Sequence, residues 1–145
     1  MEIKTAIEIN ASVGLVWDTL MNFHGYADWN PFIKDISGLP DVGGILKVTI
    51  QPPNKKQMTF TPVVISNNIE KEFRWKGKLL IKGIFDGEHY FELQGVNEGK
   101  TIFIHGEIFR GLLVPLFGGM LSETKKGFEM MNHALKIECE RKATN

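Results

Sequence analysis

FDGEHYFELQGVNEGKTIFIHGEIF, Phe85 to Phe109, is the stretch around which this 145-residue chain is arranged. It reads as two long alternating strands joined by a turn, with Gly95, Asn97 and Gly99 supplying the bend. Successive strand side chains point to opposite faces, so the odd positions share one of them. On the first strand these are Phe85, His89, Phe91 and Leu93; on the second, Thr101, Phe103, His105, Glu107 and Phe109. A turn centred near Asn97 sets Phe91 across from Phe103 and His89 across from His105, with Glu107 diagonal to them. The face is aromatic and apolar yet carries two imidazoles and a carboxylate. That mixture suits a ligand-orienting cavity better than a plain core.

Working outward, Glu2–Ile9 alternates as a strand, and Ser12 is a good N-cap for a helix holding Val13, Val16, Trp17 and Leu20 on one side. HGYADWNP, His24–Pro31, is broken by Gly25 and Pro31 and reads as a tight turn or short helix. Strands follow at Phe32–Ile36, Ile45–Ile50, Gln57–Ile65 and Ile69–Lys76, with Pro62 better suited to an edge or bulge than to a central position. Arg74 falls on the outer, solvated face. After Phe109 the apolar loop RGLLVPLFGG leads to a helix from about Met120 to Arg141, whose apolar face is Leu121, Phe128, Met131, Leu135 and Cys139. Gly118 and Gly119 either hinge this loop as a lid or simply start the helix. Strands at short intervals with helices near the two ends give an α+β class: a strongly curved antiparallel sheet of about six to seven strands around a long C-terminal helix.

Acidic and basic residues balance at 17 each, so no global field favours nucleic acid or an anionic membrane. One cysteine, Cys139, excludes an internal disulfide and fits a reducing compartment. No signal peptide is visible at the start, and the longest apolar run, Gly111–Leu121, is too short to cross a bilayer and contains Pro115. The expectation is one cytoplasmic domain over residues 1–145, monomeric or weakly dimeric, without nucleic-acid partner, membrane insertion or cofactor.

The words WNPFI (Trp29–Ile33), FRWKG (Phe73–Gly77), FDGEHYFEL (Phe85–Leu93), HGEIFRGLL (His105–Leu113) and GFEMMNHALK (Gly127–Lys136) resemble a bacterial branch of the START-like, or SRPBCC, superfamily. That superfamily has the helix-grip fold of Bet v 1 proteins and polyketide cyclases. The resemblance covers nearly the whole chain. It implies an internal cavity between sheet and long helix that holds lipids, polyketides or other apolar molecules. It brings no invariant catalytic set with it.

Alternation and the implied fold together nominate Met58, Phe60, Trp75, His89, Phe91, Phe103, His105, Glu107 and Phe109 for the cavity wall. Phe128 and Met131 would close it from the helix, and Trp29 would border the entrance. An empty cavity costs about 24 cal/mol per Å³, so roughly 400 Å³ left unfilled would forfeit on the order of 10 kcal/mol. A cavity of that kind needs water or a guest. An isolated ionised carboxylate is too costly there, so Glu107 must be protonated or partnered. The primary expectation is that His89, His105 and Glu107 anchor the polar end of a small hydrophobic ligand. One alternative is a polyketide cyclase- or aromatase-like enzyme using the same trio as acid and base. Another is an interaction module like the activator domains of Hsp90 co-chaperones. The trio has metal-ligand residue types, but no compact metal-binding spacing accompanies it. GVNEGKT, Gly95–Thr101, leads into a strand and not a helix N-terminus, which excludes a phosphate loop.

Overall fold

The computed structural model describes residues 1–78, 86–112 and 114–145; Phe85, the first residue of the organising stretch, lies outside the described residues, as does Leu113 in the candidate lid. Eight strands and three α-helices follow one another among the described residues: β1 (Glu2–Ile9), α1 (Val13–Met21), α2 (Tyr26–Trp29), β2 (Ile33–Gly38), β3 (Leu46–Ile50), β4 (Met58–Phe60), β5 (Val63–Asn68), β6 (Glu72–Lys78), β7 (Asp86–Asn97), β8 (Lys100–Arg110) and α3 (Gly118–Ala143). The α+β class and the helix-grip architecture hold. The strands pair antiparallel in two sheets, ordered β1-β8-β7-β6-β5 and β2-β3-β4.

Pro62 explains the division. The expected Gln57–Ile65 strand is two strands, β4 and β5, in different sheets, because a proline has no N–H for the ladder. Its carbonyl is still used, accepting from the Leu46 N–H at 2.9 Å. Together with the Ile45–Val63 bridge and the Gly43–Val64 and Val64–Gly44 hydrogen bonds, this contact stitches the two sheets edge to edge.

The β7–β8 hairpin differs in register from the sequence reading. Asn97 pairs with Lys100 around a two-residue Glu98–Gly99 turn, and a bulge at Gly95–Asn97 absorbs one residue. His89 therefore faces Glu107, Phe91 faces His105 and Leu93 faces Phe103. The expected pairing of His89 with His105 and of Phe91 with Phe103 is displaced by one inward pair. Parity is unchanged, so the same side chains still point to the concave side.

Ser12 caps α1 through its hydroxyl, which accepts from the Leu15 N–H at 3.2 Å. Val16, Trp17 and Leu20 enter the core from that helix, as their spacing requires. Gly118 and Gly119 form the first turn of α3, directly after a 3₁₀ turn at Val114–Phe117. The buried side of α3 holds Leu121, Thr124, Gly127, Phe128, Met131, Asn132, Leu135 and Cys139, and the helix lies against β1, β8 and α1. A Cβ at Gly127 would collide with the Phe32 ring, which is why a glycine sits inside a long helix. Arg74 is not free in solvent as expected. It bonds Glu88 at 2.7 Å, Glu72 at 3.2 Å and Glu92 at 3.3 Å, and it lies 4.5 Å over the Tyr90 ring.

Candidate functional site

A cavity of about 120 Å³ opens between the concave side of the sheets and the start of α3. Its origin is local. Trp75, His89, Glu107 and Phe109 all project inward, but the next inward positions on β6 and β7 are Gly77 and Gly87, which pair with each other. Two adjacent positions without side chains leave room on the sheet, which Pro62 closes only beside Gly77, and among the described residues of α3 Met120 and Thr124 form the far wall. At about 24 cal/mol per Å³, leaving this volume empty costs about 3 kcal/mol. A domain can sustain that, yet a guest would recover it.

Of the residues nominated from sequence, Met58, Phe60, Trp75, His89, Glu107 and Phe109 line the cavity. Phe91, Phe103, Phe128 and Met131 sit one layer deeper, fully buried in the core, where the Phe91 ring packs on Phe103 and the Phe91 and Phe128 rings on His105. Trp29 lies off the cavity, half-buried, with its ring 5.2 Å from that of Tyr26. Sequence reasoning did not name Phe32, Val48, Ile50, Pro62, Met120 or Thr124 as wall residues. Val48 and Ile50 share one strand face, and strand parity alone would have placed them there. The two glycines offered no signal beyond parity.

The polar groups form a connected chain. Glu107 Oε2 is 3.5 Å from His89 Nδ1, and His89 Nε2 is 2.9 Å from His105 Nε2. His105 Nδ1 lies 3.0 Å from Asn132 Oδ1, and Asn132 Nδ2 donates to Thr5 Oγ1 at 2.8 Å. Asn132 and Thr5 were missed. The spacing signal for Asn132 was its place four residues after Phe128, on the buried side of α3. His89 also stacks flat on the Trp75 indole at 4.5 Å, and His105 on the Phe128 ring at 4.0 Å. Each histidine thus spends its Nε2 on the other ring. Among the described residues no cluster of three His, Cys, Asp or Glu is arranged to hold a metal.

Burial decides the charge state. Desolvation pushes His89 down to about 3, and it pushes His105 well below its ordinary 6.5, with His89 adding to the effect and the Asn132 hydrogen bond opposing it. The same desolvation pushes the Glu107 carboxyl up to about 8. At neutral pH the trio is two neutral imidazoles and a protonated acid. Attraction between an imidazolium and a carboxylate would work the other way, but it does not repay taking both charges out of water. Thr124, the other polar side chain on the wall, spends its hydroxyl proton on the Met120 carbonyl at 2.9 Å.

Residues 1–140 match the family model described as polyketide cyclase / dehydrase and lipid transport. Among solved structures, the chain is similar to the ZhuI aromatase/cyclase from Streptomyces sp. R1128, with TM-score 0.77 and 16% identity over 97% of this chain and 94% of that one. It is also similar to a START superfamily protein from Mycobacterium smegmatis, with TM-score 0.76 and 18% identity over 97% of both chains. A third likeness is to the di-domain aromatase/cyclase StfQ of the steffimycin biosynthetic pathway, with TM-score 0.72 and 12% identity over all of this chain and 53% of that one. At these identities the likeness concerns the fold. No curated protein sequence matches the chain.

Proposed function

The chain belongs to the polyketide cyclase/dehydrase and lipid transport family, and from that premise we propose that it binds a small apolar molecule carrying one uncharged polar end. The observation that supports this reading is the composition of the cavity wall. It is aromatic and aliphatic except where Glu107, His89 and the already bonded Thr124 enter it. Among the described residues no charged group stands on the wall at neutral pH to hold a carboxylate, phosphate or ammonium. A neutral hydroxyl can bond both Glu107 and His89, and a carbonyl can accept from Glu107, without bringing a charge out of water. At about 120 Å³ the cavity is slightly smaller than the apolar cavity of about 150 Å³ that admits benzene, so the enclosed part of a guest is limited to about a single ring. The protein acts in the cytoplasm as a monomer or weak dimer, a reading supported by its balanced charge and its lone, buried cysteine. No helix among the described residues is long and apolar enough to cross a membrane.

The test is a protein-observed NMR titration with 4-ethylphenol, ethylbenzene and 4-ethylbenzoate. Saturable shifts at the Trp75 indole and the Met58 methyl are expected, in the order phenol, hydrocarbon, carboxylate. If none of the three perturbs those signals, or if the carboxylate binds tightest, the reading fails.

One observation favours a second reading, proton transfer to or from the guest. Glu107 holds its proton up to about pH 8 beside a neutral imidazole, and an acid with a pKa near the working pH is suited to general acid–base chemistry. A bound β-keto substrate distinguishes the two. Glu107→Gln retaining affinity while losing conversion favours the enzyme; no conversion by the unmodified protein leaves binding alone.

A further inference from the structure

The polar chain behind the cavity wall has a direction at every link, and that direction is set at its far end. The Thr5 hydroxyl lies 2.8 Å from the His105 carbonyl oxygen, which can only accept, so the hydroxyl donates there. Its lone pair then takes the Asn132 Nδ2 group at 2.8 Å. The amide is thereby oriented with Oδ1 toward His105 Nδ1 at 3.0 Å, so that ring nitrogen carries the proton. The Phe128 carbonyl, one turn earlier on α3, also accepts from the His105 ring, and it has no proton to give whichever way the amide is turned. Its effect on the ring is smaller than that of the Asn132 hydrogen bond, so it provides only a secondary hold.

The rest follows from counting protons. A neutral imidazole with its proton on Nδ1 has a bare Nε2. His89 Nε2, 2.9 Å away, must therefore donate, and His89 Nδ1 is left bare. That atom stands 3.5 Å from Glu107 Oε2 on the cavity wall, and only a protonated Glu107 can donate to it. The contact is long for a hydrogen bond and is easily exchanged for one to a guest.

We propose that Thr5 and Asn132 are positioning residues that set the polarity of this chain. They hold His105 as its Nδ1–H tautomer and His89 as its Nε2–H tautomer, so the cavity is offered an acid proton on Glu107 beside an imidazole lone pair on His89. A hydroxyl group matches both at once, accepting from Glu107 and donating to His89. The hydroxyl preference rests on the binding reading given above; the tautomer assignment rests on the ligand-free geometry alone.

The experiment uses the full chain labelled with ¹⁵N-histidine, without ligand, at neutral pH. Two-bond ¹H–¹⁵N correlation distinguishes the two neutral tautomers of each ring. The expected pattern is Nδ1–H for His105 and Nε2–H for His89. Asn132→Leu removes the amide at similar volume and converts both rings to tautomer mixtures; it also lowers affinity for 4-ethylphenol by about tenfold, the worth of one oriented hydrogen bond. Thr5→Val frees the amide to turn and gives the same mixing, whereas Thr5→Ser, which keeps the hydroxyl, restores the original pattern. Should Asn132→Leu fail to fold, the Val and Ser variants at position 5 decide the matter by themselves. The opposite tautomers in the unmodified protein, or an unchanged pattern in Thr5→Val, would overturn the proposal. The expected tautomers without any phenol binding uphold the role of Thr5 and Asn132 and reject the ligand reading instead.

Discussion

Replacing Glu107 by Gln should abolish a fall in stability that the unmodified protein suffers between about pH 6.5 and pH 8. The carboxyl goes from an ordinary 4.5 in the unfolded chain to about 8 in the fold. Between those values the folded state holds a proton that the unfolded state has released, so folding stability declines as pH rises, by about 1.36 kcal/mol per unit. The histidines work in the opposite sense. Their pKa values are depressed on folding, from 6.5 to about 3 for His89 and downward likewise for His105, so the unfolded chain binds protons that the fold excludes. Stability from these two rings rises with pH up to about 6.5 and is level beyond it. Below 6.5 two rising contributions outweigh one falling contribution; above 6.5 Glu107 acts alone.

Across the roughly 1.5 pH units that remain, the loss amounts to about 2 kcal/mol. The Glu107 side chain is 14% exposed, so solvent screening does not erase the effect. Cys139, pushed up to about 11 by burial, adds a further loss only above the ordinary thiol value of 9.0 and does not enter this window. Urea unfolding at half-unit steps from pH 5.5 to 8.5 is the assay, with urea chosen because it adds no salt. The unmodified protein should peak near pH 6.5 and lose about 2 kcal/mol by pH 8.5, while Glu107→Gln, which keeps a donor toward His89, should stay level above 6.5. A level profile for the unmodified protein, or the same fall in the Gln variant, would refute burial as the force that sets the charge of the trio.

Gly87→Val puts an apolar, strand-favouring side chain into the bare patch beside Gly77; it should raise the stability of the ligand-free protein by about 1 kcal/mol and abolish binding of 4-ethylphenol, both readable by thermal shift. Gly127→Ala gains about 1 kcal/mol of helix propensity but drives a methyl into the Phe32 ring, and overpacking of that kind costs about 1–3 kcal/mol, so urea unfolding should show a net loss. Arg74→Met leaves Glu72, Glu88 and Glu92 without their shared cation. Burial alone raises the Glu88 carboxyl, but the Arg74 hydrogen bond and charge, followed by those of Arg110, reverse this to a net lowering. The stability that Glu88 contributes is therefore present above its ordinary value of 4.5 and lost as pH falls through the lowered one, and the variant should be less stable by about 1–3 kcal/mol at pH 7 with a shallower acid limb.

Period and punctuation in the linear chain were enough to determine the architecture. Alternation in Glu2–Ile9 and Phe85–Phe109, the Ser12 cap and the apolar spacing from Leu121 to Cys139 specify strands, first helix and closing helix, because each depends only on neighbours a few residues away. The concave face was legible for the same reason: a pleated strand assigns its side chains by parity, and parity survived the register error in the β7–β8 hairpin. That error arose because a bulge at Gly95–Asn97 inserts a residue without altering composition. The tertiary structure alone decided where the cavity lies and how it is charged. The hollow exists because Gly77 and Gly87, distant in sequence and individually uninformative, are brought side by side by the β6–β7 ladder. Phe91, Phe103, Phe128 and Met131, apolar in the same way as the wall residues, fill the core because α3 reaches the sheet at their level and not above the glycines. The polarity of the Glu107–His89–His105 chain is fixed by Asn132 and Thr5, whose separation of 127 residues places their contact beyond any local pattern. Charge in this site follows from distance to water, a property that belongs to the packed molecule and not to the order of its residues.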